Sequence, residues 1–152
     1  MRFSNFNIIG SFLVDENLLM ISKINLQSID EILIFHYTPS GSHRFYMFLN
    51  QPIQYELKQN TFLHKSLFSV FKIFNNDSYA IKKVYQDTYL QQILKMIEDH
   101  LHGTALPINL DQSFAWQTVD QGVNFRKVKL IYSKNGLSLG EVMRKHKIFK
   151  DQ

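Results

Sequence analysis

Hydrophobic positions in this chain change period several times, and each change marks out an element. Over Thr88–Leu101 the residues Leu90, Ile93, Leu94, Ile97 and Leu101 recur at helical spacing, with Gln91, Gln92, Lys95 and Glu98 between them. That spacing predicts a helix with one apolar face. Gly103 supplies a stop and Pro107 follows it. After Pro52 the period falls to two, with Ile53, Tyr55 and Leu57 alternating with Gln54, Glu56 and Lys58, which predicts a strand. Ser78–Tyr85 is compatible with another strand, whereas Thr61–Phe74 is so aromatic that neither period stands out. The longest apolar runs, Ile8–Val14 and Ile32–Tyr37, fall far short of the ~20 residues that a membrane-spanning helix needs.

Two further segments read as short helices. In the first, Ser28 stands three residues before Glu31 as a capping box would have it, and Ile29, Ile32, Leu33, Ile34 and Phe35 supply an apolar face. A helix is favoured from Ser28 to Tyr37, and a strand stays open because the run is brief. Thr38-Pro39-Ser40-Gly41 is a turn, and Ser42–Leu49 then reads as the second helix, with Phe45, Phe48 and Leu49 on one side.

Near the end, Val123–Tyr132 and Leu137–Met143 flank Lys134-Asn135-Gly136. Asn-Gly between alternating runs signals a β-hairpin. In its first strand Val128, Leu130 and Tyr132 share a face, and a period of two adds Arg126 to them. An inward arginine is costly unless it is paired or binds an anion. With a simple two-residue loop, Glu141 would lie opposite Leu130 and face the same side as Arg126.

Composition narrows the classes. A chain of 152 residues with 45% hydrophobic content can bury a core, and its length suggests one domain. Cysteine is absent, which removes disulfides, thiol nucleophiles and zinc-thiolate sites. The formal net charge is +4, spread along the chain until Arg144, Lys145, Lys147 and Lys150 cluster. A nucleic-acid binder of this size would carry a clearer basic face, whereas a basic pocket for a small dianion fits. Met1-Arg2-Phe3-Ser4-Asn5 reads as neither a secretory signal nor a transit peptide. The richness in Phe, Ile, Asn and Lys resembles that of proteins encoded by A/T-rich DNA, plastid genomes included.

Two stretches carry a family resemblance. One is Ser40-Gly41-Ser42-His43-Arg44-Phe45, running on through Leu49-Asn50-Gln51-Pro52-Ile53-Gln54-Tyr55-Glu56-Leu57. The other is Arg126-Lys127-Val128-Lys129-Leu130, followed by Asn135-Gly136, Leu139 and Val142. In order and content they resemble the chorismate lyase-like family of cyanobacteria and plastids. The resemblance implies an α+β fold, an antiparallel sheet packed with helices around an internal site. It implies elimination of pyruvate from chorismate to give 4-hydroxybenzoate, a quinone precursor, with no metal and no cofactor. It also implies a soluble protein of the plastid stroma or bacterial cytoplasm, with a small aromatic carboxylate as partner rather than nucleic acid or a membrane.

On that resemblance Arg126 falls on the carboxylate-binding arginine, whose planar guanidinium holds a carboxylate through two hydrogen bonds. Gly41 and Ser42 fall on the small-residue turn beside the pocket, where helix-start N–H groups would also favour an anion. The related enzymes place an acidic residue near the ligand hydroxyl on a strand beyond the hairpin. This sequence stops at Gln152 without that strand, and it carries an extra segment, Thr61–Leu106, between the motifs. Glu141 is the substitute acid.

Plainer readings stand beside these. Arg126 could pair with a core carboxylate such as Glu56 or Glu141. His43 could be a general base or a solvated cap residue. His100 and His102 lack the i, i+4 spacing of a helical zinc pair, and His146 reads as exposed in a solvated basic tail. Ser40 and Ser42 lack a nucleophile-elbow motif, so turn and cap duty suits them. The aromatics at positions 62–89 are core by default, with a ligand wall or a nucleic-acid stacking surface as alternatives. As function, a non-enzymatic ligand-sensing or protein-interaction module on the same fold is the alternative.

Overall fold

The computed structural model describes residues 5–16, 19–37, 42–59, 61–74, 78–101, 117–121 and 124–148. Two sheets carry the fold, and every strand pairing in them is antiparallel. The first contains β1 (Asn5–Ile9), β2 (Phe12–Glu16), β3 (Met20–Asn25) and β6 (Gln54–Leu57), in that spatial order. The second places β7 (Ala80–Gln86), β5 (Ser42–Leu49), β4 (Ile29–Tyr37), β9 (Asn124–Ser133) and β8 (Gln117–Gln121) side by side. Three helices complete it: α1 (Phe62–Phe74), α2 (Asp87–Glu98) and α3 (Leu139–Lys145). The α+β class and the antiparallel sheet with helices follow from the sequence reading as expected.

Several elements differ from it. Ile29–Tyr37 is a strand, not a helix, because it is the middle strand of the five-stranded sheet and is covered on both faces. Ile32 and Ile34 enter one core and Leu33 and Phe35 the other, so the run is continuously apolar and its period is hidden. Ser28 does not cap a helix there; its hydroxyl donates to the Asn25 carbonyl at 2.6 Å. Ser42–Leu49 is likewise a strand: Phe45, Met47 and Leu49 face the larger core, while Phe48 joins the smaller one. Thr61–Phe74 resolves as α1, with Thr61 accepting from the His64 N–H at 3.2 Å. The predicted strand after Pro52, that near Ser78–Tyr85 and the helix near Thr88–Leu101 are β6, β7 and α2. Gly103 and Pro107 lie outside the described residues.

The larger core lies between the two sheets, where Leu13 and Ile24 meet Ile32, Ile34, Phe45, Met47 and the Leu90–Ile97 face of α2. The smaller core lies on the other side of the five-stranded sheet, where Val142, Met143 and Ile148 cover Leu33, Phe35, Phe48 and Val128.

The predicted hairpin at Asn135-Gly136 is a strand-to-helix turn. Gly136 has φ 69°, which suits glycine, but the chain continues into α3 rather than a return strand. Ser138 caps that helix: its hydroxyl accepts from the Glu141 N–H at 3.2 Å, and the Glu141 carboxylate accepts from the Ser138 N–H at 2.7 Å. The expected sharing of one face by Val128, Leu130 and Tyr132 also fails. Ile32 pairs with Tyr132 but Leu33 pairs with Leu130, so Ile131 is an extra residue, a β-bulge. Beyond it Tyr132 turns to the larger core, while Val128 and Leu130 stay with the smaller one.

Candidate functional site

The two ends of the five-stranded sheet differ in chemistry. At one end β5 begins and β7 finishes, so Ser42 lies opposite both Tyr37 of β4 and Gln86 of β7. On the far side of β4, Val128 lies opposite Phe35, and Arg126, two residues earlier, lies opposite Val119 of β8. Ser42 and Arg126 therefore sit on strands either side of β4, at the same sheet end and roughly 10 Å apart at two strand spacings. Their side chains, and Gly41, lie outside the described residues. No helix begins at Ser42, so the expected helix-start N–H groups are replaced by the ladder of a strand.

On the larger-core face of that sheet end the surroundings are buried and polar. His43 is buried and lies opposite Tyr85. The Tyr85 ring meets Phe45 at 5.9 Å, Phe6 at 6.2 Å and Tyr89 at 5.4 Å between ring centres. From the facing sheet comes Asp15, also buried, whose Oδ2 lies 3.4 Å from the Lys83 ammonium. Asp15 Oδ1 and the Tyr85 hydroxyl have no hydrogen-bond partner among the described residues. Burial first, then the charge of Asp15 and the neighbouring Tyr89, push the Tyr85 hydroxyl above its ordinary value, so it stays protonated and can donate. Burial and Asp15 raise Tyr89 likewise. A neutral donor, a carboxylate acceptor and aromatic walls are what a small ligand with a polar group requires of a site.

The opposite end is tied by charge. Glu31 is 1% exposed and accepts from Lys145 Nζ at 2.6 Å, while its other oxygen lies 2.9 Å from His146 Nε2. Burial alone would raise the Glu31 carboxyl, but the His146 and Lys145 contacts outweigh it and hold the group below its ordinary value. The His146 ring stacks on Phe48 at 3.5 Å. Asp30, next to Glu31, accepts from Asn50 Nδ2 at 2.8 Å and lies 3.8 Å from Lys145. This network docks the C-terminus of α3 on the sheet, so the expected exposure of His146 is overturned, while Lys145 stays exposed as its ammonium reaches Glu31.

Glu141 is also repositioned. It is exposed on the first turn of α3, not opposite Leu130 on a strand, and the Ser138 cap lowers its carboxyl. The geometric reason for choosing it as the acid beside Arg126 is gone. Glu56, the other carboxylate weighed as a partner for Arg126, lies 3.6 Å from Lys23. Sequence reasoning missed Asp15, Tyr85 and Glu31. Asp15 directly follows the apolar run Phe12–Val14 and shares a strand face with Leu13 by the period of two, which could have flagged it; nothing local marks Tyr85. No family model matches this chain, nor does any curated protein or solved structure.

Proposed function

We propose that this chain is a chorismate lyase-like protein that binds a small aromatic carboxylate at the Ser42–Arg126 end of the five-stranded sheet. It either eliminates pyruvate from chorismate to give 4-hydroxybenzoate or retains the binding alone. One observation carries the reading: strands β5 and β9, far apart in sequence, flank β4 so that Ser42 and Arg126 reach the same end. The arginine fork would take the ligand carboxylate through paired charge-assisted bonds. The ring would lie on the smaller-core face that position 126 shares with Val128 and Leu130, whereas the buried Asp15 and Tyr85 belong to the larger core on the other face and are no part of this carboxylate site.

Incubation with chorismate, followed by absorbance for 4-hydroxybenzoate, separates the two forms of the proposal. Product formed by the natural chain and lost in Arg126→Ala supports the enzyme. Binding of 4-hydroxybenzoate without turnover supports the ligand-binding form. Neither turnover nor binding ends the proposal.

A further inference from the structure

The larger-core face of the five-stranded sheet holds two polar atoms that the carboxylate site leaves unused. Asp15 stands opposite Phe6 of β1, and its side chain is 9% exposed. Tyr85, 8% exposed, comes from the other sheet. The two groups are close enough for the charge of Asp15 to act on the Tyr85 phenol. Yet Asp15 Oδ1 and the Tyr85 hydroxyl each lack a hydrogen-bond partner among the described residues. The neighbouring Tyr89 hydroxyl differs, being bonded to the Phe6 backbone. A buried acceptor and a buried hydroxyl left open together are costly and call for an occupant.

The surroundings select a cation. The Phe6, Tyr85 and Tyr89 rings stand 5.4 to 6.3 Å apart between centres, and ring faces attract positive charge. Burial, then the charge of Asp15, raises both tyrosine hydroxyls; the same negative field repels a carboxylate. A cation of the chain already reaches in. The Lys83 ammonium lies 3.4 Å from Asp15 Oδ2 while its side chain is 47% exposed, so it meets one oxygen and can swing back into water at little cost. A hard metal ion needs more oxygen ligands than one carboxylate supplies, and among the described residues no three His, Asp or Glu side chains gather to hold one. An ammonium has three N–H donors, enough to reach Asp15 Oδ1 and the Tyr85 oxygen together.

We propose that the chain binds a small primary ammonium between its two sheets. Asp15 is the counter-ion, the Tyr85 hydroxyl is the second acceptor, and the Phe6, Tyr85 and Tyr89 rings form the wall. Lys83 is the internal competitor that the ligand displaces. This site lies on the opposite face of the five-stranded sheet from the carboxylate site proposed above and does not rest on it.

Titration of the full chain with butylammonium, followed through the NMR shifts of the Tyr85 ring, tests it. Butanol and butyrate serve as neutral and anionic probes of the same length. Butylammonium should give a saturable shift, and the other two should bind about tenfold more weakly or not at all. Asp15→Asn should abolish the shift. Lys83→Gln, which removes the competitor, should tighten butylammonium binding several-fold and decides the matter if Asp15→Asn fails to fold. Lys82→Gln makes the same charge change on the other face of β7, where Lys82 lies over the Tyr46 ring, and should leave binding unchanged. No saturable shift, the result for a bridging water alone, overturns the proposal. So does butanol or butyrate binding as tightly as butylammonium, or binding that Lys83→Gln weakens or leaves unmoved.

Discussion

At the residue scale, Glu31 is the most consequential side chain outside the proposed ligand-binding end. Its carboxylate is buried, and hydrogen-bond contacts with Lys145 and His146 hold it ionised. A carboxyl depressed in the folded state contributes stability that is fully present above its unfolded value of about 4.3 and is lost as pH falls through the folded value. Thermal melts should therefore drop as pH is lowered below about 4, and Glu31→Gln should flatten that drop while lowering stability near neutrality by about 2 kcal/mol. An acid limb as steep in the variant as in the natural chain would show that other groups govern it. Lys147 has φ 54°, a left-handed conformation that costs an L-residue about 1 kcal/mol. It stands just past α3, where Ile148 N–H donates to the Met143 carbonyl and Lys147 N–H to that of Arg144, the motif in which glycine is the usual residue. Lys147→Gly should raise stability by up to about 1 kcal/mol in urea unfolding.

At the scale of elements, legibility follows from how each is covered. Helix α2 has a single apolar face, and its residues announce it. Strand β6 alternates because its two faces differ. Strand β4 has no solvent face, so the period that would betray a strand is absent, and Ser28 and Glu31 imitate a capping box. The Gly10-Ser11 turn between β1 and β2, with Gly10 at φ 62°, was a legible two-residue hairpin signal that the apolar run around it obscured. Asn135-Gly136 is the converse case: a glycine in a left-handed conformation is required, but the Ser138-x-x-Glu141 box that follows commits the chain to α3. Ser138→Ala should cost about 1 kcal/mol, read as a lower urea midpoint with an unchanged slope. No change would mean that packing of Val142 and Met143 alone fixes the helix.

At the scale of the whole molecule, an antiparallel α+β architecture was readable, because local periods and turn residues carry it. The site was readable only in part. Arg126 and Ser42 could be singled out one at a time, but their meeting at one sheet end depends on β4 lying between β5 and β9, a long-range pairing that no local pattern encodes. Asp15 joins Tyr85 for the same reason, since it comes from the other sheet. The bulge at Ile131 likewise defeats any count by twos along β9. The central claim, a carboxylate held by Arg126 at that sheet end, is tested most directly by thermal unfolding with and without 4-hydroxybenzoate. The natural chain should gain stability with ligand, by about 2.7 kcal/mol at a hundredfold excess over Kd, and Arg126→Ala should lose the gain while melting cooperatively without ligand. No gain in the natural chain, or an equal gain in the variant, would contradict it.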